Sequence, residues 1–527
     1  MIQAAGVERL AVFMARRDRV RLTIWVVGLA AMTLVTAVSV KGLYPDAASL
    51  RQAADAANGS TAAIALQAPA HGIDTLGGRT VFELGAFGFI TVALMNILLV
   101  VRHTRGEEEQ GRAELIRSAA VGRDAALAAS LVVALGADLA FAALNALLLI
   151  AVGLPVVGSV TFSLALAAVG LVFAAVAAVA AQVTEHARAA GAVAAAVLVL
   201  AYVLRAVGDV GSGALSWASP IGWGQYTRAY AGDVWWTLAL PVGVTVMLFA
   251  GAIALAGRRD VGAGMWSVRP GRQRAARSLL RPLGLAVRLD RATVAGWTVG
   301  LFVGGVTYGS VGKDIGKYVG DNPQLRRFFE QGGAGKLVDL YFATTLGMLA
   351  LVAAGFTLQA MLRIRNEETS NRGELTLATE VTRRQWLASH VVVALVGSAL
   401  VAVATGLGAG LAYGLSIHDL GQVPRLTAAA AAQIPALWVL AAVAALLIGW
   451  LPRAVNAVWG VLAVLIVIGV FGDMLRLPQL LRDVSPFAPT SHVPSAAMPY
   501  GAAIVLCVVA VVGLAAGAVG LARRDIG

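Results

Sequence analysis

The stretch RGEEEQGRAELIRSAAVGR at 105–123 is written a second time as RNEETSNRGELTLATEVTR at 365–383, without a gap and at a spacing of 260. Arg105, Glu107, Glu108, Arg112, Glu114, Leu115, Val121 and Arg123 recur as Arg365, Glu367, Glu368, Arg372, Glu374, Leu375, Val381 and Arg383. Average residue usage gives roughly one or two such matches by chance over a segment this long, so the pair marks an internal repeat. Each copy follows a long apolar run. Whatever the segment does, it does twice beside a membrane.

Hydrophobic residues make up 59% of the 527 positions and charged ones only 13%, and the mean hydropathy is +0.79. That is too apolar for a soluble chain of this length. Apolar runs of about 20 residues, long enough to cross a hydrocarbon core, recur throughout. Their backbone groups must be satisfied inside the bilayer, which selects α-helices. The expectation is an all-α membrane protein with about twelve transmembrane helices, near 20–41, 82–102, 124–153, 160–183, 189–207, 235–256, 292–311, 339–362, 385–415, 426–450, 454–472 and 497–522.

A net charge of +12 could point to nucleic acid, but its distribution argues against such a partner. The arginines gather at 16–21, 102–123, 186–188, 258–291, 361–384, Arg453 and 523–524. With twelve spans nearly all of these fall on one side, as the positive-inside rule requires of cytoplasmic segments. A multi-pass protein of the plasma membrane with both termini in the cytoplasm follows. The first apolar run comes after an Arg-rich stretch and has no small-residue cleavage site behind it, so it reads as a span and not as a signal peptide. The single cysteine, Cys507, sits in the last apolar run and implies neither disulfide nor metal site.

The repeat extends along the chain. Asp18, Arg19, Trp25 and Gly28 recur as Asp290, Arg291, Trp297 and Gly300; Arg188 recurs as Arg453; Ser219 and Pro220 recur as Ser485 and Pro486. RRDVG at 258–262 matches RRDIG at 523–527. The chain therefore divides into a six-helix half at 1–262, a basic linker at 263–291 and a second six-helix half at 292–527. The first extramembrane loop, 43–80, is about twelve residues longer than its counterpart, so the two homologous halves are not equivalent. An even number of spans per half keeps them parallel and implies pseudo-two-fold symmetry about the membrane normal, with a seam suited to translocation. Residues 6–19 carry Leu10, Phe13, Met14 and Arg17 at helical spacing just before the first span, and 277–291 carry Leu279, Leu280, Leu283 and Val287 before the seventh. Both read as short amphipathic helices in the interface. The linker's arginines read as topogenic charge on an anionic leaflet or, alternatively, as a ligand site.

Topology requires arginine but asks little of glutamate, so the doubled Glu-Glu and Glu-Leu need another explanation. Glu107 and Glu108 can pair locally with Arg102, Arg105 or Arg112 for a few tenths of a kcal/mol each. Alternatively, a short helix along the membrane presents Glu114 and Leu115, and in the second copy Glu374 and Leu375, to a cytoplasmic partner. Two matched sites then suggest two copies of that partner.

The pattern Arg-x-Glu-Glu-x-x-Gly-Arg-x-Glu-Leu after the second span, six spans per unit, Ser-Pro before the sixth and Arg-Arg-Asp at the unit's end resembles the permease subunits of bacterial ABC exporters of the second export class. Within that class the chain is most similar to the double-length actinobacterial permeases described as exporters of polyketide antibiotics, the tetronasin type. The second copy departs from the pattern at Asn371, where the first has Gly111, and at Thr369, where it has Glu109. The resemblance implies a type V ABC exporter fold in which 105–123 and 365–383 are coupling segments, with Glu107, Glu108, Arg112, Glu114, Leu115, Glu367, Glu368, Arg372, Glu374 and Leu375 engaging two copies of a separate ATPase subunit. It makes 6–19 and 277–291 the elbow helices. It also places the second and fifth spans of each half beside a central cavity, nominating Phe87, Phe89, Met95, Asn96, Tyr202, Tyr341, Phe342, Met348, Phe356, Gln359 and Trp459. ATP and magnesium would sit on the partner subunits, with no cofactor on this chain.

No nucleotide site is legible. GGAGKL at 332–337 and SVGKD at 310–314 lack the first glycine of a phosphate loop and the hydroxyl residue after its lysine. The six histidines show no metal-ligand spacing, and no Ser/His/Asp arrangement has support. The chain reads as no enzyme. Asp138 lies deep in the third span without an acidic counterpart at Ser398. It is either a functional intramembrane acid or one that hydrogen-bonds between helices, as the polar residues Asn145, Gln182 and Gln433 also read. The function expected is export of hydrophobic or amphipathic drugs or antibiotics, driven by two ATPase subunits. A proton-coupled multidrug transporter and a membrane scaffold for the same partner are the alternatives.

Overall fold

The computed structural model describes residues 5–58, 61–69, 71–112, 121–259, 264–265, 274–314, 337–370, 372–471 and 478–524. All regular structure among them is helical, and the chain divides into two compact units, Met1–Gly271 and Arg272–Gly527, with the division inside the basic linker. Eleven helices among the described residues are long and apolar enough to cross a membrane. This is a multi-pass, all-α membrane protein.

In the first unit α1 (Val7–Leu43) is followed by two short helices, α2 (Ala47–Asn58) and α3 (Thr61–Leu66). The long helix α4 (Leu76–His103) then leads into α5 (Arg105–Glu109), and α6 (Ala125–Ala151), α7 (Val156–Val183) and α8 (Ala187–Val210) follow. A short α9 (Pro220–Gln225) precedes α10 (Ala239–Ala256). Helix α7 is the centre of the unit, with 78% of its apolar window buried, and α4, α6, α8 and α10 pack around it while α1 packs on α6 and α4. Alanines and glycines on α7 allow this crowding, since without a hydrophobic drive between helices in lipid the contact depends on close packing. Helix α4 kinks at Gly85, where φ is +46° and an added Cβ would lie 2.6 Å from the Gln67 backbone. Only glycine meets both demands.

The far end of this unit is closed by α2 and α3. Arg205, fully buried on α8, donates to the carbonyls of Ala65 at 2.8 Å, Leu66 at 3.3 Å and Ile64 at 3.4 Å, the last turn of α3. These are the carbonyls at the end of α3, which the helix itself leaves without a donor. Asp209 lies 3.2 Å from the same guanidinium and accepts from Ser216 at 2.6 Å.

The second unit contains α11 (Pro282–Val311), α12 (Leu337–Thr369), the short α13 (Arg372–Leu377), α14 (Arg383–Ile417), α15 (Gln422–Ala431), α16 (Ile434–Trp450), α17 (Ala457–Phe471), α18 (Gln479–Asp483) and α19 (Tyr500–Arg523). Helix α12 packs on α14, α16 and α17; α11 lies along α14, and α19 along α16. The α11–α14 contact is backbone to backbone. A Cβ on Gly305 would fall 2.1 Å from the Thr405 carbonyl oxygen, and one on Gly309 2.4 Å from that of Ala409.

The two expected amphipathic stretches are continuous with the spans that follow them. Residues 6–19 form no separate helix: they are the first turns of α1, which runs 37 residues because no proline or glycine interrupts it before Gly28. Met14 on that stretch is buried while Phe13 is exposed. Likewise 282–291 are continuous with α11, preceded by a 3-10 turn at Arg277–Leu280. The tenth span, Gln422–Trp450, is long and apolar enough to cross and carries a turn at 432–433 between α15 and α16 next to Pro435; in the eleventh, 15 helical residues run up to Phe471, where the described residues stop. The Gly-Lys stretch at 332–337 lies almost wholly outside the described residues.

Replacing Gly305 by valine is expected to cost about 1–3 kcal/mol through overpacking. Gly300→Val on the same helix, where nothing lies within 4 Å of the added Cβ, serves as the control. Thermal unfolding in detergent should show a lowered Tm for the first and little change for the second; equal shifts would remove the backbone contact as the cause.

Candidate functional site

The repeated segment begins where α4 ends. At Thr104 the backbone leaves the helical region, with φ −112° and ψ −92°, its hydroxyl donating back to the Val100 carbonyl, and the chain turns into α5. Arg105 is fully buried. Its Nε donates to the Ala181 carbonyl at the end of α7, and its Nη1 to Glu108 Oε2 at 2.8 Å. Arg259, beyond the end of α10, grips the same carboxylate with Nη2 at 2.7 Å and Nη1 at 3.1 Å, while its Nε donates to Gln182 at 2.7 Å. Glu108 is thus held by two guanidiniums, a fork-on-carboxylate geometry that fixes direction as well as distance.

Its neighbour Glu107, also buried, accepts two bonds from Arg17 of α1, at 2.7 and 3.1 Å, and two from Arg112, at 2.8 and 3.1 Å. The bond to Glu107 holds the Arg112 guanidinium above its ordinary pKa. Asp18 lies 2.9 Å from Arg102 and 3.0 Å from His103. Glu109 accepts from the first backbone N–H of α8, that of Ala187, at 2.9 Å, where a carboxylate suits the positive end of the helix dipole. Arg123, just before α6, donates to the carbonyls of Ala256, Gly257 and Arg259 at 3.0–3.1 Å and so caps the C-terminus of α10.

The second unit makes corresponding contacts. Arg365 lies 2.8 Å from Glu368, and Arg524, after α19, pairs with the other oxygen of that carboxylate. Arg383, at the start of α14, donates to the carbonyls of Ala522 at 3.5 Å and Arg524 at 2.5 Å. Asp290 is 2.8 Å from Arg363, which stands where the first unit has His103. The grip is looser. Glu367 is 3.7 Å from Arg363, Arg365 is 29% exposed where Arg105 is fully buried, and Leu447 occupies the position matching Gln182. Helix α13 packs Gly373 on Trp386 and turns Arg372, Glu374 and Leu375 outward: Arg372 donates to the Ser370 hydroxyl at 3.0 Å, Glu374 is exposed and Leu375 is 75% exposed.

The ten residues expected to meet a partner therefore separate. Glu107, Glu108 and Glu368 are consumed by internal ion pairs, Arg112 braces Glu107, and Glu367 faces Arg363. Glu374 and Leu375 are open to solvent, whereas Glu114 and Leu115, like Asn371, lie outside the described residues. Glu107 and Glu108 do pair with Arg112 and Arg105, as the local reading expects, and also with the more distant Arg17 and Arg259. The second partners of Glu108 and Glu368, Arg259 and Arg524, had a signal in the sequence: both belong to the recurring Arg-Arg-Asp.

The proposed cavity residues have different surroundings within their own units. Phe89 packs edge-on against Phe162 with ring centroids 6.4 Å apart, Met95 is buried, and Phe356 meets Trp297 at 6.3 Å. Tyr341, Phe342 and Tyr413 form a buried aromatic cluster, and the Tyr202 hydroxyl donates to the Leu66 carbonyl. Gln359 accepts from the Trp297 indole at 2.8 Å. Phe87, Met348 and Trp459 are 46%, 40% and 44% exposed. Asn96 donates to Asp138 Oδ1 at 2.9 Å inside the helix core, packed against Gly170, where a Cβ would come within 2.7 Å of the Asn96 amide. Among the described residues no three His, Cys, Asp or Glu side chains gather as a metal site.

Two comparisons bear on these features. The sequence profile described as "Multidrug efflux system permease Rv1217c, C-terminal domain" matches residues 279–521. The multidrug efflux system permease protein Rv1217c of Mycobacterium tuberculosis is 43% identical over 482 residues, covering 91% of this chain and 87% of that protein.

Removing one partner of a buried ion pair typically costs about 3–5 kcal/mol. Arg105→Ala is expected to fall in that range and Arg365→Ala, partly exposed, well below it. Equal losses of Tm in detergent for the two variants would contradict the difference in burial.

Proposed function

The chain belongs to the family of the multidrug efflux system permease Rv1217c, and from that premise we propose that it is the membrane-spanning permease of an ATP-driven exporter in a bacterial plasma membrane. The observation that carries the reading is the pair of braced segments. Each unit holds its second glutamate, Glu108 or Glu368, between the same two recurring arginines, and in the second unit the braced segment carries the exposed Glu374–Leu375 of α13. An apolar side chain beside a free carboxylate on a short basic-end helix is a contact surface for a cytoplasmic protein. The positive-inside rule puts this end, and both termini, in the cytoplasm.

In this reading the chain supplies two six-helix halves, 1–262 and 292–527, joined by the basic linker, and each half presents one segment to one of two ATPase subunits that bind ATP and magnesium. Segment 105–123 and segment 365–383 are the coupling elements. Hydrophobic or amphipathic compounds, antibiotics of the polyketide class included, are the substrates. Phe87, Met348, Gln359 and Trp459, the exposed members of the expected cavity set, are the side chains retained for substrate contact.

A second reading, proton-coupled transport, is favoured by one observation: the Asp138 carboxyl on α6 is fully buried, bonded by Asn96, and its Oδ2 has no partner among the described residues. Intramembrane acids are where coupling ions bind in such transporters.

Co-purification with a candidate ABC ATPase subunit encoded nearby separates the two. Glu374→Lys combined with Leu375→Asp should lower ATPase capture at least tenfold while leaving the Tm of the chain unchanged, because both side chains are exposed. Undiminished capture, or a wild-type chain that never binds an ATPase, would sink the leading reading.

A further inference from the structure

The chain joins each repeated segment directly to two helices only: α4 and α6 in the first unit, α12 and α14 in the second. The last helix of each unit is far away in sequence. Arg259 is 151 residues from Glu108, and Arg524 is 156 from Glu368. Each of these last helices has one main neighbour in its unit, α7 for α10 and α16 for α19, and only 11% of the apolar stretch of each is buried. Most of the helix face therefore has no side-chain interlock with the rest of its unit, so a tie at its end bears on how it moves.

The ties between these helices and the repeated segments are ionic and hydrogen-bonded, and they sit at the braced end. Arg259 and Arg524 continue α10 and α19 and hand their guanidiniums to Glu108 and Glu368. Arg123 and Arg383, at the other end of the repeated segment, donate to the carbonyls that close the same two helices. The last helix is therefore gripped from both ends of the segment, once through a side chain and once through its backbone carbonyls. In both units the residues that do this are ones that recur in the sequence.

We propose that Arg259 and Arg524 are positioning residues that gear α10 and α19 to the repeated segments, so that a push on a segment is passed to the last helix of its unit as well as to the two helices the chain attaches. This rests on the reading of those segments as the ATPase-facing elements. Neither arginine lies on the exposed Glu374–Leu375 tip, so they act on coupling and not on docking. The two gears differ in backing. In the first unit Gln182 holds Arg259, and Arg17 and Arg112 hold the adjacent Glu107. In the second, Glu368 has Arg365 and Arg524, and Glu367 stands 3.7 Å from Arg363. Losing Arg524 thus frees the segment more than losing Arg259.

The test uses the full chain with its ATPase partner, comparing Arg259→Gln with Arg524→Gln, singly and together, against the corresponding lysine variants. For the double glutamine variant, ATP hydrolysis by the assembled complex should stay within about twofold of wild type while efflux falls at least tenfold. The double lysine variant, which keeps the charge, should recover efflux to within about threefold, and Arg524→Gln alone should cost more than Arg259→Gln alone. Wild-type efflux in the double glutamine variant overturns the proposal, as does a proportional fall in hydrolysis and efflux without lysine rescue, the mark of a merely structural role. A second readout is independent of any ATPase. Amide exchange at 252–257 and 519–523 should quicken at least tenfold in the double glutamine variant while the middle of α7 is unchanged. Unchanged exchange there overturns the gearing even if the ATPase reading stands, and a wild-type chain without an ATPase refutes that reading while leaving the gearing to be judged by exchange.

Discussion

A carboxylate held between two guanidiniums organises the braced end of each unit. Glu108 sits between Arg105 and Arg259, and Glu368 between Arg365 and Arg524. Taking such charges out of water is costly unless every oxygen and N–H finds a partner. That requirement draws in the neighbours: the Ala181 carbonyl for Arg105, Gln182 for Arg259, Arg17 and Arg112 for Glu107. The result is a knot through which α1, α4, α6, α7, α8 and α10 meet one short segment. In a bundle where lipid provides no hydrophobic drive between helices, a polar knot at the interface can fix helix ends that side-chain packing leaves loose.

The two knots are built to one plan and tightened differently. The first buries Arg105 completely and adds Gln182; the second exposes Arg365, has leucine in place of that glutamine and turns Leu375 of α13 into solvent. At the far end of the first unit α3 is pinned by Arg205.

Much of this was legible in the sequence because it depends on composition and period. Span length, basic clusters and recurring positions follow from what a bilayer demands of a backbone and of arginine. The continuity of α1 was not, because an amphipathic stretch and a span look different in pattern even where nothing breaks the helix between them. The turn before Pro435 falls within an apolar run, where periodicity is silent. Burial of the glutamates escaped for a different reason. A Glu-Glu beside arginines is ambiguous until the distant partner is known, and Arg259 lies 151 residues away. The aromatic residues of the expected cavity carry the same ambiguity, since Phe89 in a core and Phe87 on a surface are two positions apart on one helix with a kink just before them.

The most direct measurement is substrate uptake into inside-out proteoliposomes carrying the chain and its ATPase partner. Accumulation of an amphipathic drug should require hydrolysable ATP and persist when an ionophore collapses the proton gradient. Accumulation that proceeds without ATP and vanishes with the ionophore would contradict an ATP-driven permease and move the coupling to Asp138.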